Sequence, residues 1–227
     1  MSHVIAIDGP SGAGKSSVSK SVGKRMDFLH VDSGALYRIM TWQCLLNNVD
    51  TSSPEAIAEF SKKVEVECIP EQGAITYRVN GDKPGNAIRT PEINRHASPV
   101  ATVKEVRERI TGWLQSMTRF GNIIVEGRDI TTAVFPDSPA RFYLDASPQA
   151  RAERRRQEEV HKGIADQSVE AVKKSLLARD KIDSSRKHAP LRKADGAFSI
   201  DSTKMTLNEV IELVIDALPE SWKEERA

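Results

Sequence analysis

The residues with the clearest chemical meaning lie in VIAIDGPSGAGKSSVSK, residues 4 to 20 of the 227-residue chain, where an apolar run passes into a glycine-rich turn and then into a helical pattern. Gly9, Gly14, Lys15 and Ser16 match G-x-x-x-x-G-K-[ST], the spacing of a phosphate-binding loop, with the strand before it and the helix after it that the motif requires. Gly9, Gly12 and Gly14 let backbone N–H groups approach phosphate oxygens without a Cβ in the way. The Lys15 ammonium supplies a point charge for the β- and γ-phosphates, the Ser16 hydroxyl a ligand for Mg2+, and the following helix its positive end. Gly9, Pro10, Ser11, Gly12, Ala13, Gly14, Lys15, Ser16 and Ser17 are therefore the expected nucleotide-phosphate segment. The loop alone does not separate kinases, GTPases and ATPases.

Further charges gather where strands and helices meet. Ser33, in DSGALYR, is placed to cap a helix, with Arg38 within its first turns, so both can face one anion, although Arg38 could equally be a solvated surface charge. Glu126-Gly127-Arg128-Asp129 follows a strand, beyond the carboxyl end where open parallel sheets bind ligands. Arg179, Asp183 and Arg186 are spaced by four and three on one helical face, either as a functional trio or as surface ion pairs. Arg151, Arg154, Arg155 and Arg156 form either a solvated face beside Glu158 and Glu159 or part of a lid over residues 151 to 166, before Gly163 breaks the helix.

The elements that must position these groups read as five short apolar strands separated by helices: Val4 onward, Phe28 to Val31, Asn122 to Val125, Arg141 to Asp145 and Ala197 to Ile200. The expected fold is α/β, a five-stranded parallel sheet with helices on both faces. Residues 64 to 89 break the rhythm with two alternating runs, an Asn80-Gly81 turn and a third extended piece near Ala87 and Ile88, which together predict a small inserted antiparallel β subdomain within one domain spanning the chain. Thr90-Pro91 and Ser98-Pro99 each predict a helix start, residues 102 to 120 a longer helix, and Thr206 with Glu209 a capping box for the last helix.

With 33 Lys and Arg against 32 Asp and Glu, the net charge of +1 gives no overall field for nucleic acid or membrane. Anion recognition must be local. Cys44 and Cys68 are too few and too far apart for a disulfide framework or a metal pair, and no apolar run reaches membrane-spanning length. The expectation is a cytoplasmic monomer acting on small molecules.

No asparagine is followed by lysine, so the Asn-Lys-x-Asp guanine reader is missing, and the scattered arginines suit transfer to a second anionic substrate better than hydrolysis. A phosphate monoester acceptor, with a second pKa near 6, would need no general base.

GPSGAGKSS, DSGALYR, NGDKPGNAIRTPEI, Ala97-Ser98-Pro99-Val100, Val106-Arg107, EGRDITT with VFPD, RDKIDSSR and the closing IDST together resemble the bacterial cytidylate kinases over nearly the whole chain. The resemblance implies the nucleoside monophosphate kinase fold and ATP-dependent phosphorylation of CMP and dCMP with Mg2+. It implies that Ser98, Arg107 and Asp129 read the cytosine edge, that Ser33, Arg38, Arg128 and Arg186 hold the acceptor phosphate, and that Arg179 and Asp183 hold the sugar. Lys15, Arg128 and Arg186 would carry the catalytic charge. The chain departs from the family pattern at Glu126, where the family usually has Asp, and at Thr131, where it usually has Gly. Two alternatives stand beside this one: a P-loop kinase for another small acceptor, such as another nucleoside monophosphate or shikimate, and a non-catalytic ATP-binding switch.

Overall fold

Side chains alternate across the central strands so that each face of the sheet buries its own core. Ile5, Ile7 and Ile124 pack on one side with Phe142 and Leu144, while Ala6, Val31, Ile123 and Val125 pack on the other. The computed structural model describes residues 2–161 and 167–224. Its strands are β1 (Val4–Asp8), β2 (Leu29–Asp32), β3 (Val66–Glu71), β4 (Ala74–Val79), β5 (Ile123–Gly127), β6 (Ala140–Asp145) and β7 (Phe198–Asp201). The helices are α1 (Lys15–Met26), α2 (Ser33–Leu46), α3 (Pro54–Ser61), α4 (Pro91–Val100), α5 (Lys104–Ser116), α6 (Pro148–His161), α7 (Val169–Ser185), α8 (Leu207–Asp216) and α9 (Glu220–Glu224).

The strands form one sheet in the order β3-β4-β2-β5-β1-β6-β7. Helices α2, α3 and α5 cover one face through residues such as Leu36, Ile39, Ile57 and Ile110, and α1 and α8 cover the other through Val18, Val22, Val210 and Val214. The five expected parallel strands are present, but the sheet has seven strands and is mixed, because the β3–β4 hairpin extends its edge. A two-residue turn, Gln72-Gly73, with both residues at positive φ, closes that hairpin. It docks through the parallel pair His30 with Ala74, where His30 N–H donates to Gly73 O (2.9 Å) and satisfies a donor that β2 would otherwise leave open at its edge.

Other boundaries also move. Ala87 and Ile88 lie in a 3₁₀ turn, Gly85–Arg89, rather than in a third extended piece, since Gly85 takes a positive φ after Pro84. Ser98-Pro99 does not start a helix: Thr90 caps α4, which runs through Pro99 to Val100, and the longer helix starts only at Lys104 and tightens into 3₁₀ after Ser116. Asp32, not Ser33, caps α2, its Oδ1 accepting from Ala35 N–H (3.0 Å). The Thr206–Glu209 capping box forms as expected at α8. Gly163 lies outside the described residues. Among the described residues no helix is long and apolar enough to cross a membrane.

Register is what gathers the site. Asp8 pairs with Gly127, and Glu126 with Asp32, so β1, β5 and β2 end level and release their loops along one rim. At the first of these exits Gly9 has φ 152°, and a Cβ there would stand 1.9 Å from the Leu144 carbonyl oxygen on β6. Gly9→Ala is expected to lower stability by about 1–3 kcal/mol through this overpacking. Urea unfolding measures it, and an unchanged midpoint would contradict the close approach.

Candidate active site

A cleft of about 520 Å³ opens along the rim and is lined by the phosphate loop on one wall and by groups from β2, β5, α2, α4 and α7 on the others. Ser11 to Ser17 line it; Gly9 and Pro10 lie beneath. The Lys15 ammonium is buried and donates to the carbonyls of Gly9 and Pro10 (2.8 Å each). Burial, helped by the positive charge of Arg128, pushes this amine down to about 7.

Asp8 anchors the loop from behind. Its carboxylate, fully buried, accepts from Ile130 N–H (2.9 Å), Thr131 N–H (2.7 Å) and the Thr131 hydroxyl (2.6 Å). Burial raises it to about 6 against these hydrogen bonds. Asp8 thus ties the start of the phosphate loop to the segment that carries Arg128 and Asp129.

On the far wall the charged groups form a connected chain. Arg107 donates to Asp129 Oδ2 from behind, and Arg186 Nη2 donates to Asp129 Oδ1 (3.2 Å). Arg186 also faces Asp183 at 3.8 Å, and Arg128 Nε donates to Asp183 Oδ2 (3.0 Å) while its Nη2 reaches Ser11 Oγ (2.7 Å). Burial and the nearby Arg107 charge lower Arg186 from its ordinary value. Arg38 and Arg89 share Asp32 Oδ2 at 2.7 and 3.2 Å, and the Ser33 hydroxyl donates to Glu126 O (2.6 Å). The buried Nε–H groups of Arg38 and Arg179 find no acceptor among the described residues. Both guanidiniums line the cleft, where their positive charge suits a second negatively charged ligand.

Ser33, Arg38, Ser98, Arg128, Asp129, Arg179, Asp183 and Arg186 all line the one cleft with Lys15 and Ser16. Arg107 does not line it; it stands behind Asp129, with Nη1 on Ala101 O (2.9 Å) and its guanidinium over the Tyr37 ring at 5.4 Å. The four arginines of α6 have separate partners. Arg151 is buried against the phosphate loop, Arg154 holds Ser202, Arg155 pairs with Glu158 and Glu159, and Arg156 Nε donates to Gln167 O (3.0 Å); Arg154 and Arg155 line the cleft. Residues 162 to 166 of the expected lid lie outside the described residues.

Sequence reasoning passed over Asp8, Asp32, Tyr37, Arg89 and Asp180. The signal for Asp8 was a carboxylate ending an otherwise apolar strand, and for Asp180 its place beside Arg179 in RDKIDSSR.

The model of the cytidylate kinase family matches residues 5–220 of the chain. The chain belongs to the cytidylate kinase family. It is 43% identical over 216 residues to the cytidylate kinase of Streptomyces griseus, covering 94% of this chain and 91% of that one, and 39% identical to that of Bacillus thuringiensis, covering 93% of each. Among solved structures, an uncharacterized protein from Eubacterium ventriosum has the same fold, with a TM-score of 0.52 at 13% identity over 95% of this chain and 97% of that one.

The two departures from the cytidylate kinase pattern have different settings. Thr131 is fully buried and turns its hydroxyl to Asp8, away from the cleft, so its side chain obstructs no ligand there. Glu126 does line the cleft, its Oε1 3.3 Å from His30 Nε2 on the neighbouring strand.

Burial holds the Lys15 amine at about 7, so a polyphosphate placed beside it must raise that value and draw a proton onto the amine above neutrality. Titration calorimetry with preformed MgATP at pH 8, in buffers of different ionisation enthalpy, is expected to show proton uptake that Lys15→Met loses. It should vanish near pH 5.5, where the amine is already charged. Uptake unchanged by the substitution would contradict the assignment.

Proposed function

We propose that the chain transfers the γ-phosphoryl group of ATP to CMP and dCMP, with the two nucleotides entering the one cleft from opposite arms. The observation that carries this reading is the junction of the arms, where Arg128 bridges the phosphate-loop residue Ser11 and the α7 residue Asp183.

The donor arm runs from the phosphate loop past Arg154 to Met205, Leu207 and Val210 at the start of α8, an apolar strip for a nucleobase. The acceptor arm runs past Arg38 and Ser98 to Asp129. Cytosine presents an amino donor and two acceptors; Asp129 can accept from the amino group and the Ser98 hydroxyl can donate to one of the acceptors, with Arg107 holding the Asp129 carboxylate in position. Arg179 and Asp183 face the sugar, and Arg38, Arg128 and Arg186 the phosphate. Residues 64–89 serve this arm, since Arg89 at their end enters the cleft.

The Ser16 hydroxyl and Glu126 carboxylate both face the cleft and offer the hard oxygen donors that suit Mg2+. Among the described residues no group of three or more His, Cys, Asp or Glu is gathered into a metal cage, which fits an ion held largely by phosphates and water. Ser16 and Glu126 would hold the ion on the protein side, and it would supply positive charge to offset that of the nucleotide phosphates.

A deprotonated oxygen of the acceptor phosphate attacks the γ-phosphorus in line; the new O–P bond forms as the bond to the β,γ-bridging oxygen breaks, and ADP leaves with that electron pair. No side chain need remove a proton, because the acceptor oxygen is already ionised at neutral pH. The protein's work is to hold two mutually repelling anions in line and to neutralise charge on the transferring group, which Lys15, Arg128 and Arg186 do. One chain supplies every group named, so a monomer suffices, in a cytoplasm where nucleotides are abundant and the buried thiols Cys44 and Cys68 stay reduced.

An ADP-release assay across CMP, dCMP, UMP, AMP, GMP and shikimate tests the reading: CMP and dCMP should lead, and tenfold higher kcat/KM with another acceptor would overturn it. Asp129→Ala should cost roughly 100-fold or more in kcat/KM for CMP, because it removes the base contact and strands two buried guanidiniums. The KM for ATP should move little, and equal damage to both substrates would contradict base recognition.

A further inference from the structure

Ser11, in the middle of the phosphate loop, is held at all three of its polar groups by side chains from outside the loop. Its N–H donates to Asp180 Oδ1 (2.9 Å), its carbonyl accepts from Arg151 Nη1 (2.9 Å), and its hydroxyl accepts from Arg128 Nη2 (2.7 Å). Arg151 and Asp180 also pair with each other, and Arg151 is fixed in turn by Nε donating to Ala146 O (3.0 Å). Ser11 and Arg151 are buried.

Two features make this more than ordinary packing. A carboxylate beside a phosphate loop opposes the anion the loop must bind, so Asp180 carries an electrostatic cost that Arg151 offsets. Moreover, Asp180 and Asp183 stand one helical turn apart on α7, one gripping the Ser11 N–H and the other the Arg128 that grips the Ser11 hydroxyl. The donor loop is therefore located from the same helix turn that faces the acceptor sugar.

We propose that Asp180 is a positioning residue for phosphoryl transfer: through Ser11 it sets the distance and angle between the phosphate loop and the acceptor groups of α7. It lines neither arm of the cleft and touches no substrate group, acting only through Ser11 and Arg151. The proposal rests on the reading of α7 as the acceptor side.

Asp180→Asn keeps the shape and removes the charge. It is expected to leave CMP affinity, measured by calorimetry without ATP, within about threefold of the parent, while kcat falls roughly 30- to 100-fold, the scale of an ångström-sized misplacement. Assays run well below the melting temperature and normalised to folded protein separate this from lost stability. A kcat within threefold of the parent would overturn the proposal. So would a fall in CMP affinity matching the fall in kcat, which would make Asp180 a support of the acceptor site alone. If Asp180→Asn does not fold, Asp180→Glu keeps the charge for Arg151 but displaces the oxygen from the Ser11 N–H, and the same split is expected and the same outcomes overturn it. Failure of the acceptor reading is separately visible, since parent protein would then not bind CMP.

Discussion

Everything in the cleft depends on keeping buried like charges in place before the substrates arrive. Guanidiniums brought this close repel one another unless carboxylates stand between them, and here they do: Arg107, Asp129, Arg186, Asp183 and Arg128 alternate in sign along one wall and end on Ser11. Losing one partner from such a buried pair costs about 3–5 kcal/mol, because the other charge is left unpaired out of water. The network's yield is preorganisation, with the guanidiniums fixed in place by their carboxylate partners. Asp32 does the same on a smaller scale for Arg38 and Arg89.

The chain of charges exists because the backbone brings remote stretches level. Pairing of Asp8 with Gly127 and of Asp32 with Glu126 puts three loop exits on one rim. Asp8 then stitches two of them together by accepting from Ile130 and Thr131. Helix α7 supplies the fourth side, and Asp180 and Asp183 meet the loops at neighbouring points. Family membership gives the reaction class; these contacts show how the charged groups that line the cleft are held against their mutual repulsion.

Much of this is legible in the amino-acid sequence, for reasons that differ by element. The phosphate loop and the five parallel strands are readable because their signals are local: glycine spacing, β-branched runs and the proline and serine at helix starts. The hairpin's attachment to the main sheet is not, because a single pair, His30 with Ala74, decides it across more than forty residues of chain. The cap of α2 shifts by one residue from its expected place, since Asp32 and Ser33 are both good caps and the choice turns on Ser33 finding the Glu126 carbonyl instead. The arginines of α6 read as one cluster but have separate partners, which sequence spacing cannot resolve. The departure at Thr131 cannot be weighed from sequence, because only the fold shows that its hydroxyl points to Asp8.

The central claim is that one set of side chains, already linked to the phosphate loop, receives the acceptor nucleotide. A crystal structure of the chain with CMP bound tests it most directly. The base should lie against Ser98 and Asp129, the ribose against Arg179 and Asp183, and the phosphate among Arg38, Arg128 and Arg186 on the side facing Lys15. CMP seated elsewhere, or seated in the cleft with its phosphate turned from Lys15, would contradict the account.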